Sequence, residues 1–188
     1  MLERLRLGLA LLACLAAPPA SAQLPADSAP AADCPRPDRA DALLPPEMPS
    51  PALVAELILW IGEETGYDTA EALEAPPEIL FCLTGEEIGV DDEDMLVEEN
   101  MLGAYDLARG RVFLVRPWSE GDSRQVSVLL HELAHHVQFL NRGFDCRQAA
   151  EWEAYQLQAK WLAERGVEPA FDWLHIYFLS RCPRDIHP

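Results

Sequence analysis

Residues 126–140 constrain this chain more than any other stretch: VSVLLHELAHHVQFL has no Gly or Pro, and its apolar residues recur at helical spacing. Inside it lies His131-Glu132-Leu133-Ala134-His135. Side chains four apart share a helical face, so a helix here lets His131 and His135 point at one metal ion. Glu132 projects beside them, where it can act as a base toward water. Asp122 or Ser123 suits the helix N-cap, and Gly143 suits its end. Such a helix needs a neighbour that covers its apolar side and completes the ligand set.

A catalytic zinc site uses three protein ligands and keeps one position open. The third ligand is expected on the next helical pattern, residues 149–162, which offers Glu151 and Glu153. Residues two apart on a helix point roughly 200° apart, so only one of the two can face the metal.

At these residues the chain resembles the HExxH zinc metallopeptidases, the zincins, in their gluzincin or minigluzincin-like single-domain form. In those families the third ligand is the Glu of E-x-x-[AS]-[DN]. Glu151-Trp152-Glu153-Ala154-Tyr155 lies on that pattern with Glu151 as ligand, and it departs at Tyr155. The family has Asp or Asn there, supporting a zinc-bound histidine. The resemblance runs from Arg111 to Leu162. No third His stands at the extended spacing H-E-x-x-H-x-x-G-x-x-H, so the metzincin branch does not fit.

The resemblance implies a small α+β, zincin-like domain, mostly helical, with a short antiparallel hairpin before the HExxH helix. It implies Zn2+ held by His131, His135 and Glu151, with Glu132 as general base and a peptide or protein as substrate. The donor to the developing oxyanion is left open among His136, Tyr155, Tyr105, His175 and Tyr177. Two other readings use the same ligands: a zinc-binding module without proteolysis, and an amidase acting on a non-peptide substrate.

The N-terminus reads as an export signal over residues 1–22, with basic Arg4 and Arg6, an apolar run at 7–17, and Ala20-Ser21-Ala22 as cleavage site. Its apolar run is shorter than the roughly 20 residues that span a bilayer. The expected destination is the bacterial periplasm or medium, without stable membrane insertion after cleavage. Lipid anchoring at Cys14, through Leu11-Leu12-Ala13-Cys14, is the competing reading. Residues 23–50 are Pro-rich without periodicity and read as a linker, leaving 51–188 as a single, monomeric domain. Cys34, Cys82, Cys146 and Cys182 remain after cleavage, and four cysteines in an exported chain favour two disulfides of unspecified pairing. The net charge of −18 argues against a nucleic-acid partner.

The remaining pattern places a helix over 51–64 stopped by Gly66, a strand at 79–83, and a hairpin of 102–106 with 111–115. Either hairpin strand could offer an edge to an extended substrate. The acidic stretch 86–94 reads as a solvated loop. A last helix over 169–181, carrying Phe171, Trp173, Tyr177 and Phe178, reads as core packing.

Overall fold

The computed structural model describes residues 48–183. The export signal, the lipid-anchor alternative at Cys14, most of the Pro-rich linker and Cys34 lie outside the described residues.

Helix α1 spans Pro51–Thr65. The Ser50 side chain caps it by accepting from the Leu53 N–H, and Pro51 stands in the first turn, where no N–H is needed. Gly66 ends it at φ 75, a left-handed conformation that suits glycine. Val54, Leu57, Ile58 and Ile61 form its buried face. Short α2 (Ala70–Glu74) precedes strands β1 (Glu78–Cys82), β2 (Glu87–Val90), β3 (Glu93–Leu96), β4 (Gly103–Asp106) and β5 (Arg111–Val115). Helix α3 (Ser123–Asn141), a 3-10 turn (Arg147–Ala150), α4 (Glu151–Glu164) and α5 (Trp173–Leu179) complete the described chain.

The architecture is α+β. The expected hairpin is β4–β5, with Tyr105 opposite Val112. β1 joins it in parallel on the far side of β5, so the sheet has the order β1-β5-β4 and is mixed rather than purely antiparallel. β5 is central, which removes 111–115 as a docking edge and leaves β4. Alternation along β5 sends Val112 and Leu114 to the helical core, and Phe113 and Val115 to the opposite face.

That opposite face is covered by β2 and β3, which pair as a hairpin. The solvated-loop reading of 86–94 is therefore corrected. Ile88 and Val90 point inward at period two and pack with Cys82, Val97, Phe113 and Val115, while the acids face out. The turn runs through Asp91 and Asp92 at φ 53 and 66, a left-handed pair that Asp tolerates. The density of acids masked two inward apolar positions.

Helix α3 is capped by Asp122, whose carboxylate accepts from the Arg124 and Gln125 N–H groups. It ends at Asn141, with extended Arg142 following, just before Gly143. Its middle, except Val128, is buried on every side from Val126 to Gln138, because α1, α4 and the sheet surround it.

Helix α5 is shorter than expected; Phe171, just before it, packs against the core, but Trp173, Tyr177 and Phe178 do not. Only Ile176 is buried, while Leu174, Tyr177 and Phe178 are 68, 45 and 57% exposed. Two turns at the rim offer one buried position, and Trp152 touches only the edges of Trp173 and Tyr177. Cys146 and Cys182 form a disulfide that ties the segment between α3 and α4 to the end of α5. Cys82 is a free, buried thiol, pushed up to about 11 by burial and by nearby Glu86. Among the described residues there is thus one disulfide beside a free thiol, and the second expected disulfide involves Cys34, outside them. No described helix is long and apolar enough to cross a membrane.

Candidate metal centre

Two polar stripes run along the buried part of α3. His131, His135 and Gln138 follow the i, i+4, i+7 rule and face α4. Glu132 and His136, again four apart, face β4. The chain returns from α3 through the disulfide-tied segment, and Glu151 opens α4 opposite the two histidines.

His131, His135 and Glu151 converge. The two Nε2 atoms are 3.2 Å apart. Glu151 Oε2 lies 3.3 Å from His131 Nε2, and its Oε1 lies 3.4 Å from His135 Nε2. Each Glu151 oxygen thus reaches one histidine, and with one ligand atom per residue the three groups lie within 4.8 Å of one another; two imidazoles with one carboxylate are donors suited to zinc. The histidines are buried, whereas the Glu151 side chain is 28% exposed, so the cluster opens toward solvent on one side.

The protonation balance reflects that crowding. Burial opposes ionisation of Glu151, but hydrogen bonding and charge from His131 and His135 outweigh it and hold its carboxyl well below the usual range. Burial likewise opposes charge on His135, yet its contact with Glu151, aided by Glu132 and Gln138, raises its value. Glu132 is pushed up by burial, with Glu151 adding to the shift and the two histidines countering it.

Glu132 lies against the first residue of β4. A Cβ on Gly103 would come within 2.8 Å of Glu132 Oε1 and 2.9 Å of Val128 Cγ1. Glycine is what lets the edge strand approach the carboxylate this closely.

Glu153 does not join the cluster. Its Oε2 accepts from Gln138 Nε2 at 2.8 Å and from the Tyr67 hydroxyl at 2.9 Å, with Arg142 3.8 Å away. Gln138 also donates to the Ala150 carbonyl at 3.1 Å and presents its Oε1 to His135 Nδ1 at 3.1 Å. The sequence reading missed Gln138. Its signal was its place on the histidine stripe, three residues beyond His135.

The oxyanion candidates separate clearly. His136 is buried, and its Nδ1 pairs with the Tyr105 hydroxyl at 3.0 Å. Burial lowers the pKa of His136 and, with Asp106, pushes Tyr105 up to about 12. His175 and Tyr177 are exposed on α5. Tyr155 alone stands at the cluster: its ring meets that of His131 edge-on at 4.4 Å, and it lines a chamber of about 430 Å³ with His131, Glu132 and Phe171. Burial, then the charges of Glu151 and Glu132, raise its pKa. Buried His131 Nδ1 has no hydrogen-bond partner, so Tyr155 does not replace the support that Asp or Asn gives in the resembling families.

A second, wider groove of about 1010 Å³ reaches Glu151 from the β2–β3 side and is rimmed by Glu93, Asp94 and Glu98, with Asp91 paired to Arg147 in the same lining. The groove and the chamber share Asn100, Met101 and Gly103, and so meet at the start of β4.

The family described as "Domain of unknown function (DUF6647)" matches residues 46–188. The chain belongs to the DUF6647 family. The converging donors, Glu132 and β4 all fall within the DUF6647 match. No curated protein and no solved structure matches the chain. The likeness to zincins therefore rests on the residues themselves.

Proposed function

We propose that this DUF6647 domain is an exported zinc-dependent hydrolase, best suited to act as a small metallo-endopeptidase in the periplasm or medium. The observation that carries the reading is the convergence of one donor atom each from His131, His135 and Glu151 within 4.8 Å of one another. Zinc held there would supply Lewis acidity, polarising a carbonyl and making water a nucleophile near neutral pH.

The chain's own residues supply the rest. Glu132 accepts the proton of the attacking water and returns it to the leaving amine. Its burial raises its proton affinity toward the range a general base needs. Among the described residues no strand covers the outer edge of β4, which begins at Gly103 beside Glu132; although Arg147 occupies the Tyr105 carbonyl, the start of that edge can align an extended peptide by main-chain hydrogen bonds. The Tyr155 hydroxyl is the donor best placed to meet the developing oxyanion. The carboxylates along the wider groove disfavour anionic segments of a substrate.

The unpartnered His131 Nδ1 favours one other reading, a zinc-binding module without proteolysis. One experiment separates the two. Metal content is measured for the wild type, His135→Ala and Glu132→Gln, followed by hydrolysis of a general protein substrate. The peptidase reading expects one zinc per chain, lost in His135→Ala and kept in Glu132→Gln, with hydrolysis in the wild type alone. Zinc without hydrolysis of protein or of small amides supports the module. A chain that takes up no zinc refutes both.

A further inference from the structure

Gln138 is wholly buried, and each of its polar atoms has a partner. The Ala150 carbonyl and the Glu153 carboxylate can only accept. Their contacts at 3.1 and 2.8 Å therefore both require amide hydrogens, which fixes the Gln138 nitrogen on the α4 side. A flipped amide would set its oxygen against two acceptors and leave both its hydrogens facing the imidazole. With the amide so fixed, Oε1 is turned to His135 Nδ1 at 3.1 Å, where it only accepts. The ring hydrogen of neutral His135 then sits on Nδ1, and the lone pair sits on Nε2, the atom that faces His131 and Glu151.

Glu153 is itself held in place by the Tyr67 hydroxyl from the loop after α1, with Arg142 nearby. Its carboxylate, two residues beyond Glu151, locks a side chain three residues beyond His135.

We infer that Gln138 and Glu153 are positioning residues that set the tautomer of His135 and, through it, the metal affinity of the centre. The metal-affinity half rests on the zinc reading above; the tautomer half holds in the metal-free protein.

The test uses the mature chain with two readouts. Nitrogen-15 NMR of chelated protein, at a pH where the rings are neutral, reports which nitrogen of His135 carries hydrogen. Competition with a chromogenic chelator reports zinc affinity. The wild type is expected to show the Nδ1–H form. Gln138→Met keeps the bulk and removes the bonds. It is expected to lose that preference and bind zinc roughly 10- to 100-fold more weakly, as loss of support for a metal-binding histidine does.

Glu153 is partly exposed and so a milder site for substitution. Glu153→Ala is expected to weaken zinc binding in the same direction, and Glu153→Gln, which keeps an acceptor oxygen, to restore most of it. A purely structural role predicts lower melting temperatures with unchanged tautomer and unchanged affinity, and that result overturns the inference. So does an Nε2–H ring in the wild type. A wild-type Nδ1–H ring in a chain that binds no zinc leaves the tautomer assignment standing and removes the metal centre instead.

Discussion

Gly103→Ala tests whether Glu132 works from the position in which β4 holds it. The new Cβ would stand 2.8 Å from Glu132 Oε1 and 2.9 Å from Val128 Cγ1, where ordinary contacts begin near 3.4 Å. The backbone does not resist the change, since Gly103 is not among the positive-φ glycines. The strain therefore falls on the carboxylate, which must retreat by about 0.6 Å within a buried site. A misplacement of about 1 Å can cost a hundredfold in rate, so the expected loss in kcat is roughly 10- to 30-fold. That is about 1.4–2 kcal/mol of barrier.

The assay is steady-state cleavage of an internally quenched peptide or labelled protein, beside zinc content and melting temperature. The three atoms nearest the new methyl belong to Glu132 and Val128 rather than to His131, His135 or Glu151, so zinc content should stay unchanged. Full activity in Gly103→Ala would refute the assignment of Glu132 as a base poised against the edge strand. Loss of zinc together with activity would show that the damage reaches the cluster rather than the base.

Three further outcomes follow from the same geometry. The Cys146–Cys182 bridge closes a loop with a sequence separation of 36, and a loop of that order contributes about 4 kcal/mol by restricting the unfolded chain. Cys182→Ser should lower the melting temperature by roughly 10–20 °C; a shift within error would show that the bridge does not constrain the unfolded chain. In chelated protein, the raised His135 value gives stability that is complete below 6.5 and is lost as pH rises through its folded value. The raised Glu132 value acts in the same direction, since a buried carboxyl loses its proton at a cost once the pH exceeds 4.5. Below 6.5 the lowered His136 value acts the other way, so urea midpoints of the chelated protein should fall as pH rises above 6.5, and a rise over that range would contradict the buried pairing. Zinc should oppose that fall, because its binding competes with protons on the histidines; a zinc-induced shift in melting temperature that does not grow with pH would argue against His131 and His135 as ligands.

The parts of this domain that sequence alone revealed are those whose signal is local and periodic. His131, His135 and Glu132 follow from helical spacing within one uninterrupted apolar run, and Glu151 follows from the resemblance combined with the geometry of a second helix. The choice against Glu153 needed packing: its carboxylate is claimed by Gln138 and Tyr67, the latter distant in sequence. The β2–β3 hairpin was hidden because composition is dominated by outward acids while two inward residues decide the pairing. The aromatic residues of α5 misled for the opposite reason, since apolar character cannot report whether anything is there to cover it. β1 beside β5 was out of reach, because parallel pairing joins segments that share no turn.

A strand edge that can accept a substrate can also accept a second copy of the chain, and unpaired edges are where folded proteins aggregate. β4 limits that hazard by its length, only four residues. The acids that rim the neighbouring groove add a second restraint, since two approaching copies would bring Glu93, Asp94 and Glu98 against their own counterparts, in a chain of net charge −18. Solubility of this protein should thus depend on ionic strength more steeply than its fold does. Salt screens the repulsion that keeps the edges apart and leaves the buried core that holds them in place unaffected.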